Sequence, residues 1–226
     1  KWRDLVPSAT AGMVIGEDEC HRLLAKMGVS VAPGVLTHNE GEAIAAVREI
    51  GLPVAAKGIS SEITHRAAVG LVALDIRTED DAGTVFRRFS ERGLELGAPL
   101  DGVYFQRMIQ KGVEIIVSAF RDPVFGVMVS CGWGGNITEV VDDIAIARAP
   151  LDERGALALL KRLKIVKGAA KLDASTDIEG LARFVAQFSL VASTAPWESF
   201  VIELNPVKWS GREAVAVDGL LIIEKP

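Results

Sequence analysis

The chain has 226 residues, 49% of them apolar and 24% charged, with 25 basic and 30 acidic side chains for a net charge of −5. At roughly 150 residues per domain this length falls between one domain and two. The composition is that of a chain that buries a core, which excludes disorder as the main state. The acidic balance argues against a basic nucleic-acid footprint. Two cysteines far apart, Cys20 and Cys131, exclude a disulfide scaffold and point to a reducing, cytoplasmic compartment. No apolar run reaches the ~18 residues of a membrane span. No secretory apolar stretch precedes Asp18, and a chain opening on Lys1 reads as a piece of something longer.

Cys20, Leu23, Leu24 and Met27 fall at i, i+3, i+4 and i+7 and predict a helix that Gly28 stops. Residues 29–36 read as extended, broken by Pro33-Gly34. Ala43, Ile44, Val47 and Ile50 mark a second helix, ended by Gly51. Residues 53–57 and 70–76 read as short apolar strands. The polar connection between them, 58–69, is long enough to suspect function. Thr78 with Asp81 opens a third helix, whose buried face is Ala82, Val85, Phe86 and Phe89. From Asp101 the pattern changes to three strands in succession, 103–109, 113–119 and 124–131, with turns at 110–112 and 121–123. Gly132-Trp133-Gly134-Gly135 reads as a glycine loop. Ile178, Leu181, Val185, Phe188 and Ala192 predict a long amphipathic helix. A strand at 200–204, a Ser210-Gly211 turn and a strand at 214–217 close the chain. Alternating helix and strand predicts an α/β fold made of two α+β lobes, 1–100 with the N-terminal helix and 101–226.

Several residues suit phosphate and magnesium chemistry. Lys57 ends an apolar strand, where a lysine either holds a phosphate as a point charge or simply snorkels to water. His65 lies in the polar connection, and neutral imidazole is a competent nucleophile; a surface histidine is the other reading. Asn205 precedes Pro206, and Asp218 ends the next strand. In a hairpin their oxygens can reach one point, as Mg²⁺ requires, although Asn-Pro and Asp-Gly are also ordinary turn pairs. The glycine loop can present N–H groups to an anion, but it lacks the lysine and hydroxyl of a P-loop and more often means a tight turn.

Taken in order, 53–57, Ser60 through His65 to Gly70, 112–117, 121–126, 132–139, 143–151 and Glu203-Leu204-Asn205-Pro206 resemble the ATP-grasp domain of NDP-forming acyl-CoA synthetases. The likeness runs from about Glu17 to Ile223 and is similar to the β subunits of ADP-forming acetyl-CoA synthetases and, more distantly, of succinyl-CoA synthetases. The resemblance implies an ATP-grasp fold with a nucleotide cleft between its lobes, binding ATP or ADP with Mg²⁺. It implies that Lys57 holds the phosphates, that Gln106, Arg107, Met108 and Ile109 form the hinge at adenine, and that Glu114 meets the ribose. It further implies that Asn205 and Asp218 are metal ligands and that His65 carries a phosphoryl group. The CoA-binding and acyl-transfer parts would then lie in domains or a subunit outside this chain, in an oligomeric ligase. After His65 the family's hydroxyl, carboxylate and second glycine are replaced, the run reading Arg66-Ala67-Ala68-Val69-Gly70-Leu71. The main rival function is a regulatory nucleotide-binding module fused to a protein acetyltransferase. A carboxylate–amine ligase is disfavoured by the histidine, which that class does not use.

Overall fold

The computed structural model describes residues 2–6, 10–60, 62–63, 66–135 and 142–224. In chain order the elements are α1 (Trp2–Leu5), β1 (Val14–Ile15), α2 (Glu17–Lys26), β2 (Gly34–Thr37), α3 (Glu40–Ile50), β3 (Val54–Ile59), β4 (Val72–Ile76), α4 (Glu79–Glu95) and β5 (Gly102–Arg107). There follow β6 (Val113–Asp122), β7 (Gly126–Trp133), β8 (Ile144–Arg148), α5 (Glu153–Leu160), α6 (Lys164–Leu172), α7 (Ile178–Ser193), β9 (Phe200–Ser210), β10 (Glu213–Ala216) and β11 (Leu220–Ile223). Helix starts follow the side-chain oxygens. Asn39 accepts from Glu42 N (2.9 Å), Thr78 from Asp81 N (3.1 Å) and Asp152 from Gly155 N (2.7 Å).

The chain divides into two compact units, 32–109 and 1–31 with 110–226. In the first, a four-stranded antiparallel sheet runs β2-β5-β3-β4. Helices α3 and α4 bury Ala43, Val47, Ile50, Ala82 and Phe89 against Val54, Ala56, Val103 and Phe105 on one face of that sheet. Side chains alternate along a strand, so Ala55, Lys57, Tyr104 and Gln106 belong to the opposite face.

In the second unit the strands run β1-β11-β9-β6-β7-β8, with β10 also on β9. Helices α2, α5 and α7 bury Leu23, Leu24, Leu159, Leu160, Leu181, Val185 and Phe188 against Ile115, Val117, Val129, Ile202, Leu204 and Val207. The α1 helix is pinned by Trp2, whose indole N–H donates to Val191 O (3.1 Å) and whose ring meets Trp197 edge-on at 5.1 Å. Opposite the helices the sheet carries Ser118, Ser130, Glu203 and Asn205.

The unit boundary differs from the expected 1–100 and 101–226. Strand β5 is an inner strand of the four-stranded sheet, so no division can precede Gly102. The N-terminal helix does not join the first unit either, because β1 pairs with β11 at the edge of the larger sheet. Two turn readings also shift. Strand β7 runs through Trp133, so the glycine loop starts only at Gly134. Asn205-Pro206 lies inside β9 and not in a turn after it. Strands β1, β8 and β11 and helices α1 and α6 were not read from the sequence.

Candidate functional site

Lys57 sits within β3, two residues before its end, across from Tyr104 and diagonal to Gln106. Its ammonium donates to Gln106 Oε1 at 3.3 Å, and Gln106 is only 2% exposed. The lysine therefore lies over the central strand β5 and does not merely snorkel at a strand end. The next residues are tied inward. Arg107 N donates to Pro33 O (2.8 Å), Met108 N to Pro53 O (3.1 Å), and Arg107 Nε to Ile50 O (2.9 Å). An adenine at this hinge would thus have to find other donors than those two N–H groups. Met108 Sδ accepts from Asp75 N (2.9 Å), and Ile109 is the last residue of its unit.

His65 lies outside the described residues. The stretch after it is anchored: Leu71 N donates to Arg66 O (2.9 Å) and Gly58 N to Leu71 O (2.8 Å). Leu71, in a glycine's place within the resembling motif, is fully buried in the core of its unit.

The other candidates belong to the larger unit, and one irregularity arranges them. Ile115 pairs with Val207 and Val117 with Leu204, so Asn205 and Pro206 together stand opposite Ile116. This is a β-bulge, which shifts the inside–outside phase of β9 by one residue. Without it Asn205 and Lys208 would point to opposite faces; with it Glu203, Asn205 and Lys208 all leave the helix-covered face. Lys208 accordingly pairs with Glu114, directly across on β6, at 2.6 Å.

Strands β10 and β11 keep one register against β9: Ala216 pairs with Val207, Leu220 with Glu203, and Val217 N donates to Pro206 O (3.0 Å) between them. The unbroken offset sets Asp218 across from Asn205, with Glu203 two residues along. Burial raises the Glu203 carboxyl above its ordinary value, and the negative charge of Asp218 raises it further. Glu203 was quoted in the sequence only as part of a motif. The period-2 alternation that places it beside Asn205 was the signal available.

The glycine loop proves to be a structural tie. Gly134 N donates to Glu114 O (2.9 Å) and Gly135 N to Asn205 Oδ1 (2.8 Å), so these N–H groups already serve protein oxygens. A Cβ on Gly134 would lie 2.5 Å from the Ile115 carbonyl carbon, and one on Gly135 would strike the Glu114 carboxylate. Gly135 also has φ +77°, a conformation that favours glycine. Beside Glu114 opens a cavity of about 890 Å³ lined by Lys111, Trp133, Gly134, Asp173, Ser175 and Ser210.

The donor set Glu203, Asn205 and Asp218 is all oxygen, which fits a hard cation. Among the described residues no three His, Cys, Asp or Glu side chains form a metal cage. Two carboxylates and an amide accord with Mg²⁺, which keeps waters and substrate phosphates in its shell. Also among the described residues, no helix is long and apolar enough to cross a membrane.

An ATP-grasp domain family matches residues 8–223. The chain is 31% identical to acetate–CoA ligase (ADP-forming) I subunit beta of Pyrococcus furiosus, over 99% of this chain and 98% of that subunit. It is 31% identical over 93% of its length to acetate–CoA ligase (ADP-forming) II of Archaeoglobus fulgidus, of which it spans only 30%. The dinucleotide-forming acetyl-coenzyme A synthetase 1 of Ca. Korarchaeum cryptofilum, solved with coenzyme A and Ca-AMPCP, superposes with a TM-score of 0.87 at 27% identity, over 99% of this chain and 100% of that one. The same enzyme solved with Mg-AMPPCP, its phosphohistidine segment pointing towards the nucleotide binding site, gives 0.84 at 26% over the same shares. These relatives are CoA ligases, and a regulator fused to an acetyltransferase finds no support among them. The fold is the ATP-grasp fold, and the chain belongs to the ATP-grasp domain family, as the ATP-grasp portion of the ADP-forming acyl-CoA synthetases.

Proposed function

We propose that this chain binds ATP or ADP with Mg²⁺ and serves the phosphoryl-transfer half of an ADP-forming acyl-CoA synthetase. The observation that carries the reading is the register that sets Asp218 across from Asn205 with Glu203 beside them. Lys57, held by Gln106, meets the nucleotide phosphates as a point charge. Residues 106–109 flank the adenine, and Glu114, which lines the 890 Å³ cavity and is steadied by Lys208, meets the ribose hydroxyls. Asn205 and Asp218 hold the magnesium ion, which supplies charge neutralisation at the phosphates when bound.

His65 carries the phosphoryl group: its imidazole nitrogen forms a P–N bond to the terminal phosphorus of ATP as the bond to the departing ADP oxygen breaks, and the carboxylate of the acid then takes the group as the P–N bond breaks. The acid, activated as an acyl phosphate, is then captured by the CoA thiol with release of phosphate. Those later steps need CoA-binding and acyl-transfer parts in further domains or a partner subunit, and the assembled enzyme is an oligomer. Two buried free thiols, Cys20 and Cys131, accord with a reducing cytoplasm.

Calorimetry with ADP, with Mg²⁺ and with EDTA, tests the reading. Asp218→Asn weakens Mg²⁺-dependent binding about 10-fold or more and leaves metal-free binding near wild type, since it removes one of few anionic ligands. Equal loss in both conditions refutes the metal assignment. No nucleotide binding by folded protein in Mg²⁺ refutes the whole reading.

A further inference from the structure

We propose that His21 is a positioning residue for the Asp218 carboxylate, holding its turn from behind; the proposal rests on the magnesium reading above. Helix α2 buries Glu17, Cys20, His21, Leu23 and Leu24. Glu17 is 2% and His21 1% exposed, and four residues apart they lie one above the other on that face. Burying such groups carries a desolvation penalty that an apolar pair would avoid.

Strand β10 ends at Ala216 and β11 begins at Leu220, so Val217, Asp218 and Gly219 form an interruption in the return strand. Ladder bonds fix the strands on either side. Within the interruption, Asp218 Oδ1 accepts from Gly219 N at 2.8 Å. The His21 ring lies against Gly219. A Cβ on Gly219 would sit 3.2 Å from both His21 Cδ2 and Nε2, and 3.0 Å from Leu204 Cδ2. Residue 219 must therefore be small because the imidazole occupies the space a side chain would take. The carboxylate's field reaches the same helix face: after burial, Asp218 is the largest influence raising the Cys20 thiol, followed by Glu17. A ligand carboxylate on a short break between two strands keeps its aim only if the groups packed against that break are rigid, and loss of such supports typically weakens metal binding about 10–100-fold.

The test uses His21→Leu and His21→Gln in the chain as it stands. The readouts are the Mg²⁺ concentration at half-maximal ADP binding, ADP affinity in EDTA, and the urea midpoint in EDTA. His21→Leu raises the Mg²⁺ midpoint about 10-fold or more without changing ADP affinity in EDTA. His21→Gln, which keeps a polar nitrogen near the ring's Nε2, recovers most of that loss. A midpoint within ~2-fold of wild type for folded His21→Leu overturns the proposal, whatever happens to stability. If that variant does not fold, Gly219→Ala displaces the ring from the other side; an unchanged midpoint there overturns it equally. Wild-type protein with no Mg²⁺ dependence overturns the magnesium reading and this proposal together, whereas dependence that survives both variants removes only the role of His21.

Discussion

Asp143 offers a sharp test of how the larger unit is held. The helix α6 starts after Leu163, a residue with no side-chain oxygen to cap it. Asp143, 5% exposed and 21 residues upstream of Lys164, supplies the missing acceptors: Oδ1 takes Lys164 N and Oδ2 takes Ile165 N, both at 2.8 Å. Charge-assisted hydrogen bonds contribute about 1.5–3 kcal/mol each. Lys164 is exposed, so water replaces the carboxylate there at small loss, whereas Ile165 is 2% exposed and its donor would stay buried and unpaired. Losing the charge at a helix N-terminus adds roughly 0.3–1 kcal/mol. Asp143→Ala therefore costs about 3 kcal/mol, and Asp143→Asn, with one acceptor left, about 2. All four tryptophans, Trp2, Trp133, Trp197 and Trp209, lie in this unit, so indole fluorescence reports its unfolding alone. At a urea slope of about 2–3 kcal/mol/M, the alanine variant should lose on the order of 1 M in midpoint with the slope unchanged. A shift under ~0.2 M would refute the capping argument, because an orphaned buried donor cannot be that cheap.

Both thiols should be inert in the native state. Burial pushes the Cys131 thiol up to about 12 and raises Cys20 further still, so a thiol reagent at pH 8 should react only as the protein unfolds. Fast labelling of folded protein would contradict this. Asp173 accepts from Ser175 N, Ser175 Oγ and Ser210 Oγ, which hold its carboxyl below the ordinary value. A depressed folded-state value contributes stability present above the unfolded value and lost as pH falls through the folded one. Asp173→Ala should thus destabilise at pH 7 and match wild type in strong acid; a pH-independent gap would show that only packing was lost. In the full enzyme, His65→Ala should abolish acyl-CoA formation and alkali-stable phosphate labelling while leaving ADP affinity nearly unchanged, since a nucleophile acts in the reaction step. Acyl-CoA synthesis at the wild-type rate would make His65 a bystander.

Much of the fold was legible in the sequence because apolar spacing is a local property. Cys20, Leu23 and Leu24 announced α2, Thr78 with Asp81 announced the start of α4, and Ile178 through Ala192 announced α7. The co-linear motifs were specific enough to identify the family, which the comparisons bear out. Lys57, Asn205 and Asp218 stood out as candidates because a lysine or an Asn/Asp pair beside apolar strands is chemically conspicuous, whereas Glu114 was singled out only by the family resemblance.

Their arrangement was not legible, because it depends on pairing between distant segments. Nothing in the run Glu203 to Lys208 announces that two of its residues will face one on β6, yet that bulge turns Asn205 and Lys208 to the same side. Glutamate 114 gained its partner only through a register linking positions 94 residues apart. Asp143 caps a helix it precedes by a strand and another helix, and His21 meets Gly219 across nearly the whole chain. The unit boundary moved to 109 because β5 hydrogen-bonds to β2 and β3, a choice made by sheet pairing and invisible to local composition. Periodicity and turn chemistry act over a few residues and so can be read from the sequence itself; register, bulges and burial of polar groups arise from contacts between segments, which exist only once the chain has folded.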